Sequence, residues 1–486
     1  MVGELIVTDR SAVAGIKFCG VTACVVIALL LSASAAPAAD WPTSRGNVSR
    51  TGADESPGPK SGRVLWVHKS TDHFIASPVP AGDALLVSAL AAFNTSSFQA
   101  LSTDPAATRR VTWTKSVPYL KLPTVCAPAV AGNLVVFGDG MHQTDGAILH
   151  GVRLDTGLPL WQFPVPGTLV HLEGSPTIAN GRVIIGGGSA GVICVDPAKL
   201  KLDGEFVDSA TAQRVLEARW KLLLTNYERE KKTDPDFAIP PSEDSLPKPV
   251  PALVWKQGEN VWHVDAPVAV AGDRVLVASA FLDTEKKGER ALYCLNLADG
   301  SPQWKAKLKF NPWGGATVAG DMVLVGCSSI RLEPKDVPRG QGEVIAVSLT
   351  DGLPRWRKNL PAGVVSAIAV RGDIAVFTAT DGCVRAWDVA TGAERWKSDV
   401  AAPYFASPAV TQDSVYVADL KGKVQALDLA DGKQIWSLDV GNDPAIKAPG
   451  MVYGGPVISW GRLYLATCNL ESASKAPTAV ICIGEK

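Results

Sequence analysis

Thr391-Gly392-Ala393-Glu394-Arg395-Trp396 is one copy of a phrase, Thr/Asp-Gly-x-x-x-Trp, that the chain writes five times. The other copies run from Thr156 to Trp161, Asp299 to Trp304, Asp351 to Trp356 and Asp431 to Trp436. Recurrence at about 40 to 50 residues, with β-patterned sequence between copies, marks a repeat fold in which each unit is one small sheet. The glycine supplies the positive φ that a tight hairpin needs, and the Asp or Thr beside it suits the turn. A second phrase precedes each tryptophan: a small residue, often Ser-Pro, then alternating apolar positions, a glycine turn and a valine-rich run. It is clear at Ser77-Pro78, Ala127-Pro128, Ser175-Pro176, Ala266-Pro267 and Ser407-Pro408, and looser at Gly315-Ala316, Ser366-Ala367 and Gly455-Pro456. That makes eight units.

Runs such as Val275-Leu276-Val277 and Val415-Tyr416-Val417, bounded by glycine turns, read as buried strands. Trp66, Trp113 and Trp255 occupy the same outer-strand slot as Trp161, Trp304, Trp356, Trp396 and Trp436, so eight tryptophans match eight units. The last unit, from Gly455, has no such tryptophan, and Arg63 to Val67 would supply its outer strand. The expected fold is all-β: an eight-bladed propeller of four-stranded antiparallel blades, closed by an N-terminal strand that leaves no open edge between the first and last blades. Trp161 and Trp255 are 94 residues apart with only one first-strand phrase between them, which places an insert at 201–252. Within it Leu216, Trp220, Leu223, Leu224 and Tyr227 fall on one helical face, with Asp208 or Ser209 as cap. The chain then divides into a signal peptide (1–39), a lead-in (40–62) and the propeller (63–486) carrying the insert.

With 47% hydrophobic and 20% charged residues, the composition is that of a globular protein. The 47 basic residues balance 48 acidic ones, so no field draws in nucleic acid. Arg10 and Lys17, the apolar run Phe18 to Leu31 and the small residues Ser32 to Ala39 make the three-part layout of a secretory signal. At about 14 residues the run is shorter than a membrane span. An exported chain, periplasmic or extracellular and not membrane-spanning when mature, is expected. Nine cysteines become seven without the signal, an odd number, and Cys194 and Cys294 fill the slot held by Ala346, Ala386 and Ala426 in other units. They read as small core residues. There is no Cys-x-x-Cys, and Gly186-Gly187-Gly188-Ser189, which runs on into Ala190-Gly191, opens no helix and so makes no nucleophile elbow.

The residues just before each first-strand phrase should ring one mouth of the central channel. They include His73, His171, Glu173, Trp262, His263, Asp265, Trp313, Tyr404 and Tyr453. Imidazoles, aromatics and two carboxylates together suit a polar aromatic ligand or a metal, while a solvated rim would need none of them. The sequence assigns no residue a catalytic or metal-ligating role.

Ala-x-Asp-x-x-Thr/Asp-Gly-x-x-x-Trp is complete at Ala386 to Trp396 and Ala426 to Trp436. On this phrase the chain, over about 60–486, resembles the quinoprotein (PQQ) alcohol-dehydrogenase-like β-propellers. Asp40-Trp41-Pro42-x-x-Arg45-Gly46-Asn47 and Thr51-Gly52 also look like the lead-in of exported bacterial PQQ-like repeat proteins. The resemblance implies that the tryptophans are docking residues of the girdle. It also implies one of two functions: a dehydrogenase holding pyrroloquinoline quinone and calcium in the funnel, or a scaffold similar to the outer-membrane β-barrel assembly lipoproteins. The chain has no adjacent Cys pair, no acidic cluster that supplies both calcium ligands and a base, and less length than the usual enzyme. It also lacks a credible lipidation site. The expectation is a monomeric, non-catalytic, exported scaffold without a cofactor, binding an envelope protein or a small ligand. The alternative is a PQQ- and calcium-dependent alcohol or sugar dehydrogenase.

Overall fold

Each recurring tryptophan faces a residue with almost no side chain, and this pairing builds the blades. Trp113 pairs with Ala100, Trp161 with Gly151, Trp304 with Cys294, Trp356 with Ala346, Trp396 with Ala386 and Trp436 with Ala426. Trp255 faces Cys194 and Trp66 faces Cys482. The slot is small because the indole lies across it: a Cβ at Gly151 would sit 2.2 Å from the Trp161 ring. Cys194, Cys294 and Cys482 are therefore space-fillers of alanine size.

The computed structural model describes residues 41–91, 95–142, 144–399, 401–470 and 476–485. The expected signal peptide, 1–39, lies outside them. Eight sheets form an eight-bladed propeller, seven of four antiparallel strands and one enlarged by the insert. Blade I spans 79–115, II 129–165, III 177–257, IV 269–307, V 316–360, VI 369–397 and VII 409–439. Blade VIII combines 457–483 with the N-terminal strand Val64–Ser70, which pairs with Thr478–Ile483 and closes the ring. No helix among the described residues is long and apolar enough to cross a membrane.

Neighbouring blades are joined through the same tryptophans. The indole N–H of Trp113 donates to the Leu154 carbonyl of the next blade at 2.8 Å, and Trp255, Trp304, Trp356 and Trp396 donate likewise to Leu297, Leu349, Val389 and Leu429. The ring then lies on the turn glycine of that next blade: a Cβ at Gly392, whose φ is +67°, would be 2.7 Å from Trp356. One glycine thus supplies both the left-handed turn and the flat seat for its neighbour's indole.

The lead-in runs along the inner edges of the blades. Edge strands facing the axis have unused N–H groups, and the segment Trp41 to Asp54 takes them up. The amides of Val130, Val270, Val318, Val370 and Val410 donate to the carbonyls of Pro42, Val48, Ser49, Thr51 and Gly52 at 2.7 to 2.9 Å. Arg50, 2% exposed, donates to the carbonyls of Ser44, Ser175, Pro176 and Val268 and to the hydroxyls of Thr43 and Thr177. This segment occupies the channel and satisfies the inner edges of five blades.

The insert begins as an extension of blade III, where Lys199–Leu202 pairs with Glu205–Asp208. It continues into helix α1 (Ser209–Thr233), capped by the Asp208 carboxylate accepting from the Thr211 amide at 2.7 Å. Of the apolar face expected from spacing, only Leu216 is buried, together with Ala212. Trp220, Leu223 and Tyr227 are half-buried and Leu224 is exposed, because only the first half of α1 reaches the propeller.

Candidate functional site

The extended segments that lead into the inner strands of blades III and IV alternate between core and mouth. Val170 and Leu172 enter the hydrophobic core between blades II and III, which leaves His171 and Glu173 on the opposite side. Trp262 and Val264 enter the core between blades III and IV, which leaves His263 and Asp265 at the mouth. The two segments are held in place by backbone pairs: Leu172 N–H donates to Asp139 O at 3.0 Å, and Gly188 and Val264 exchange two bonds of 3.0 and 3.1 Å. Gly188 has no room for a side chain, since a Cβ there would be 3.0 Å from the His171 ring.

These four positions and one loop converge. The Asp265 carboxylate Oδ1 lies 2.8 Å from His171 Nε2 and 3.0 Å from His263 Nε2. His263 Nε2 sits off the hydrogen-bonding direction and has no hydrogen-bond partner among the described residues, and neither has the buried Nδ1 of His171. The Ser189 hydroxyl is 3.3 Å from His263 Nδ1. His142, from the loop between the second and third strands of blade II, brings its ring to 5.5 Å from that of His171 and 6.1 Å from that of His263. Its backbone N–H donates to the Glu173 carboxylate, while Arg331 approaches its Nε2 at 3.2 Å and Glu285 at 3.8 Å. One ligand atom from each of His142, His171, His263 and Asp265 lies within 4.8 Å of all the others.

The electrostatics follow from burial. Burial alone would favour a neutral imidazole at His171, but the Asp265 charge outweighs it and raises the His171 pKa. Burial opposes charge on Asp265 as well, and His263 and His171 together hold it well below the usual carboxylate range. Burial lowers the pKa of His142 and raises that of Glu173.

The other mouth candidates lie elsewhere. His73 pairs through its backbone with Leu90, and its Nδ1 accepts from the Asn469 amide at 3.1 Å. Trp262 is buried against Tyr293, with ring centroids 4.2 Å apart, and so does not face the channel. Tyr404 is buried between blades VI and VII and donates its hydroxyl to Gln425. Trp313 and Tyr453 pack with Ile330, Val365 and Phe405 in a separate apolar cluster, where the Trp313 indole donates to Ile330 O at 2.8 Å. Reading only the segments before the inner strands misses His142, Glu285 and Arg331. All three lie on loops between second and third strands, which emerge at the same end of the propeller because that strand pair reverses direction there. The signal was the length of the 139–146 loop beside its short counterpart at 379–383.

The family model described as "Outer membrane protein assembly factor BamB" matches residues 56–204, 250–336 and 336–471. The chain belongs to this family of PQQ-like repeat propellers. The break in the match between 204 and 250 coincides with the insert, which is an addition to the family's repeat. Among solved structures, BamB from Moraxella catarrhalis superposes with a TM-score of 0.54 at 13% identity, covering 86% of this chain and 98% of that one. Quinohemoprotein alcohol dehydrogenase from Comamonas testosteroni gives 0.60 at 13%, covering 93% and 82%. The computationally designed Ika8 protein gives 0.57 at 12%, covering 87% and 100%. At these identities the likeness concerns the propeller alone. No curated protein gives a match.

Proposed function

We propose that this protein is an exported, non-catalytic propeller of the cell envelope that holds a protein partner through its insert. The observation that carries the reading is the second half of α1 and the turn after it. Leu222 and Leu224 are 48% and 40% exposed there, and Phe237 and Ile239 are 80% and 81% exposed. Large apolar side chains left exposed along one projecting element are a recognisable protein-binding feature. The family description, which names an assembly factor, supports the same reading.

The groups at the mouth support it over the quinone alternative. Calcium takes six or more oxygen ligands, whereas the donors gathered here are mainly imidazole nitrogens. A flat quinone needs an open aromatic face, yet Trp262 and Tyr404 are buried between blades and Trp313 is packed into the Ile330 cluster. These residues do not fit the quinone and calcium pair.

A photo-crosslinking residue at Phe237, introduced in the producing cell, should trap one envelope protein. Leu222→Glu with Leu224→Glu should abolish that product while leaving the folded propeller intact. Crosslinking that is absent, or indifferent to the two glutamates, removes the reading. Saturable binding of pyrroloquinoline quinone with calcium, together with alcohol-dependent dye reduction, would replace it with the dehydrogenase.

A further inference from the structure

We propose that His142, His171, His263 and Asp265 form a binding site for one divalent first-row transition metal ion, zinc foremost, at the channel mouth where blades II, III and IV meet. This goes beyond the scaffold reading and does not depend on it. Three imidazoles and one carboxylate are the donor set such an ion prefers, and they are a poor set for calcium or magnesium.

The geometry needs little adjustment. A tetrahedral ion with bonds of about 2.0 to 2.1 Å holds its ligand atoms about 3.4 Å apart. Here the four ligand atoms already lie within 4.8 Å of one another, and Asp265 Oδ1 is 2.8 and 3.0 Å from two imidazole nitrogens. Small ring rotations that lengthen those two contacts and draw in His142 produce the tetrahedron. Of the four, His142 is the most exposed, so its ring has the most room to turn.

The surroundings are built for coordination rather than for hydrogen bonding alone. His171 and His263 are fully buried, and His263 Nε2 stands 3.0 Å from the Asp265 carboxylate but off the direction of a hydrogen bond. A buried polar atom left in that state is costly, and a metal ion satisfies it. Ser189 beside His263 Nδ1 is the outer partner that orients a ligating imidazole. Glu173 fixes the His142 backbone, and Glu285 with Arg331 stands behind the His142 ring. Glycines set the walls: a Cβ at Gly288 would be 2.8 Å from His263 Cβ, and one at Gly140 would be 3.2 Å from His171 Cα. Because the ligands come from three blades, the ion would cross-link them at the mouth.

The test uses the full chain purified without a polyhistidine tag, stripped with chelator and dialysed against zinc. Wild type should take up one zinc per chain, and X-ray absorption should show nitrogen and oxygen neighbours at about 2.0 to 2.1 Å with imidazole scattering. Cobalt(II) at the same site should give the intense visible bands of a tetrahedral ion. His263→Ala and Asp265→Asn should each weaken zinc by about 100-fold or more, because they remove ligands rather than outer partners. His68→Gln, on the closing strand of blade VIII, should change nothing. Should His263→Ala fail to fold, the near-isosteric Asp265→Asn and the loop variant His142→Ala still decide the matter. Sub-stoichiometric zinc in wild type, or affinity unaltered in these variants, overturns the proposal and leaves a hydrogen-bonded His–Asp network only.

Discussion

Gly392→Ala tests whether the turn glycine of the repeated phrase is required for its backbone alone or also as the seat for the previous blade's tryptophan. Gly392 has φ of +67°, and a Cβ there would lie 2.7 Å from both Cδ2 and Cε3 of Trp356. Gly372, in the inner hairpin of the same blade, has φ of +57° and nothing within 4 Å of its would-be Cβ. Both substitutions incur the left-handed backbone cost of about 1 to 2 kcal/mol. Both also gain the same reduction in unfolded-chain freedom, so that effect cancels in the comparison. Only Gly392→Ala must push a buried indole, 9% exposed and bonded to Val389 O at 2.9 Å, off its seat. Overpacking of that kind costs about 1 to 3 kcal/mol, and this is the expected difference between the two variants. Urea unfolding at 25 °C, followed by far-ultraviolet circular dichroism, reads it as a lower midpoint at unchanged slope. A Trp356→Phe background should shrink the excess, because the smaller ring leaves space. If Gly392→Ala is no more destabilising than Gly372→Ala, the docking argument fails for this blade.

Trp396→Phe should destabilise by about 1 to 3 kcal/mol because it leaves the Leu429 carbonyl, now bonded at 2.8 Å, without its donor. Trp66→Phe should cost less in the same urea experiment, since the Trp66 indole N–H has no partner to lose among the described residues. Equal costs would show that the inter-blade hydrogen bond adds nothing to ring packing. Cys126, Cys194, Cys294, Cys327, Cys383 and Cys482 are buried, and burial pushes the thiols of Cys126, Cys194 and Cys482 up to about 12. At pH 8 a thiol reagent should therefore label none of the six in the folded protein and all of them in denaturant. Rapid native labelling of any one would show its blade opening.

The ring was legible because its rules are local. A glycine in a turn, a small residue opposite an indole and a short axis-facing strand each follow from neighbours in sequence, and eight copies reinforce one another. The closing strand at Val64–Ser70 followed from the missing tryptophan of the last blade. The mouth was legible only in part, because side chains there alternate with a period of two. Trp262 was grouped with His263 and Asp265, yet it shares the core face with Val264. Tyr404 likewise lies in the core between blades VI and VII, while its neighbour Phe405 packs in the separate Ile330 cluster. Applying the alternation to each segment would have separated these pairs. His142 could not be found in that way, because its loop belongs to no repeated phrase. The lead-in carried no periodic pattern either. Its place in the channel is set by unpaired amides on five inner strands, which are brought together only once the ring has closed.

The insert and the irregular blades beside it explain each other. Trp161 is followed not by a Thr/Asp-Gly turn but by Asp196-Pro197-Ala198, so the usual glycine seat in the next blade is missing. The root of the insert takes its place: Leu200 and Ala212 pack in the same buried cluster as Trp161, and the first turns of α1 lie against the strand Pro159–Val165 that carries it. Arg153 of blade II reaches Glu217 on α1, and Gln162 N–H bonds to Pro249 O at 3.0 Å on the returning chain. The first half of the insert therefore does the work that glycine does elsewhere, and removing it would expose Trp161 and loosen blades II and III. That requirement stops near Leu216, the last buried position on α1. Nothing in the ring demands the apolar side chains beyond it, and for this reason a partner should be sought at Leu222, Leu224, Phe237 and Ile239 rather than at the insert's root.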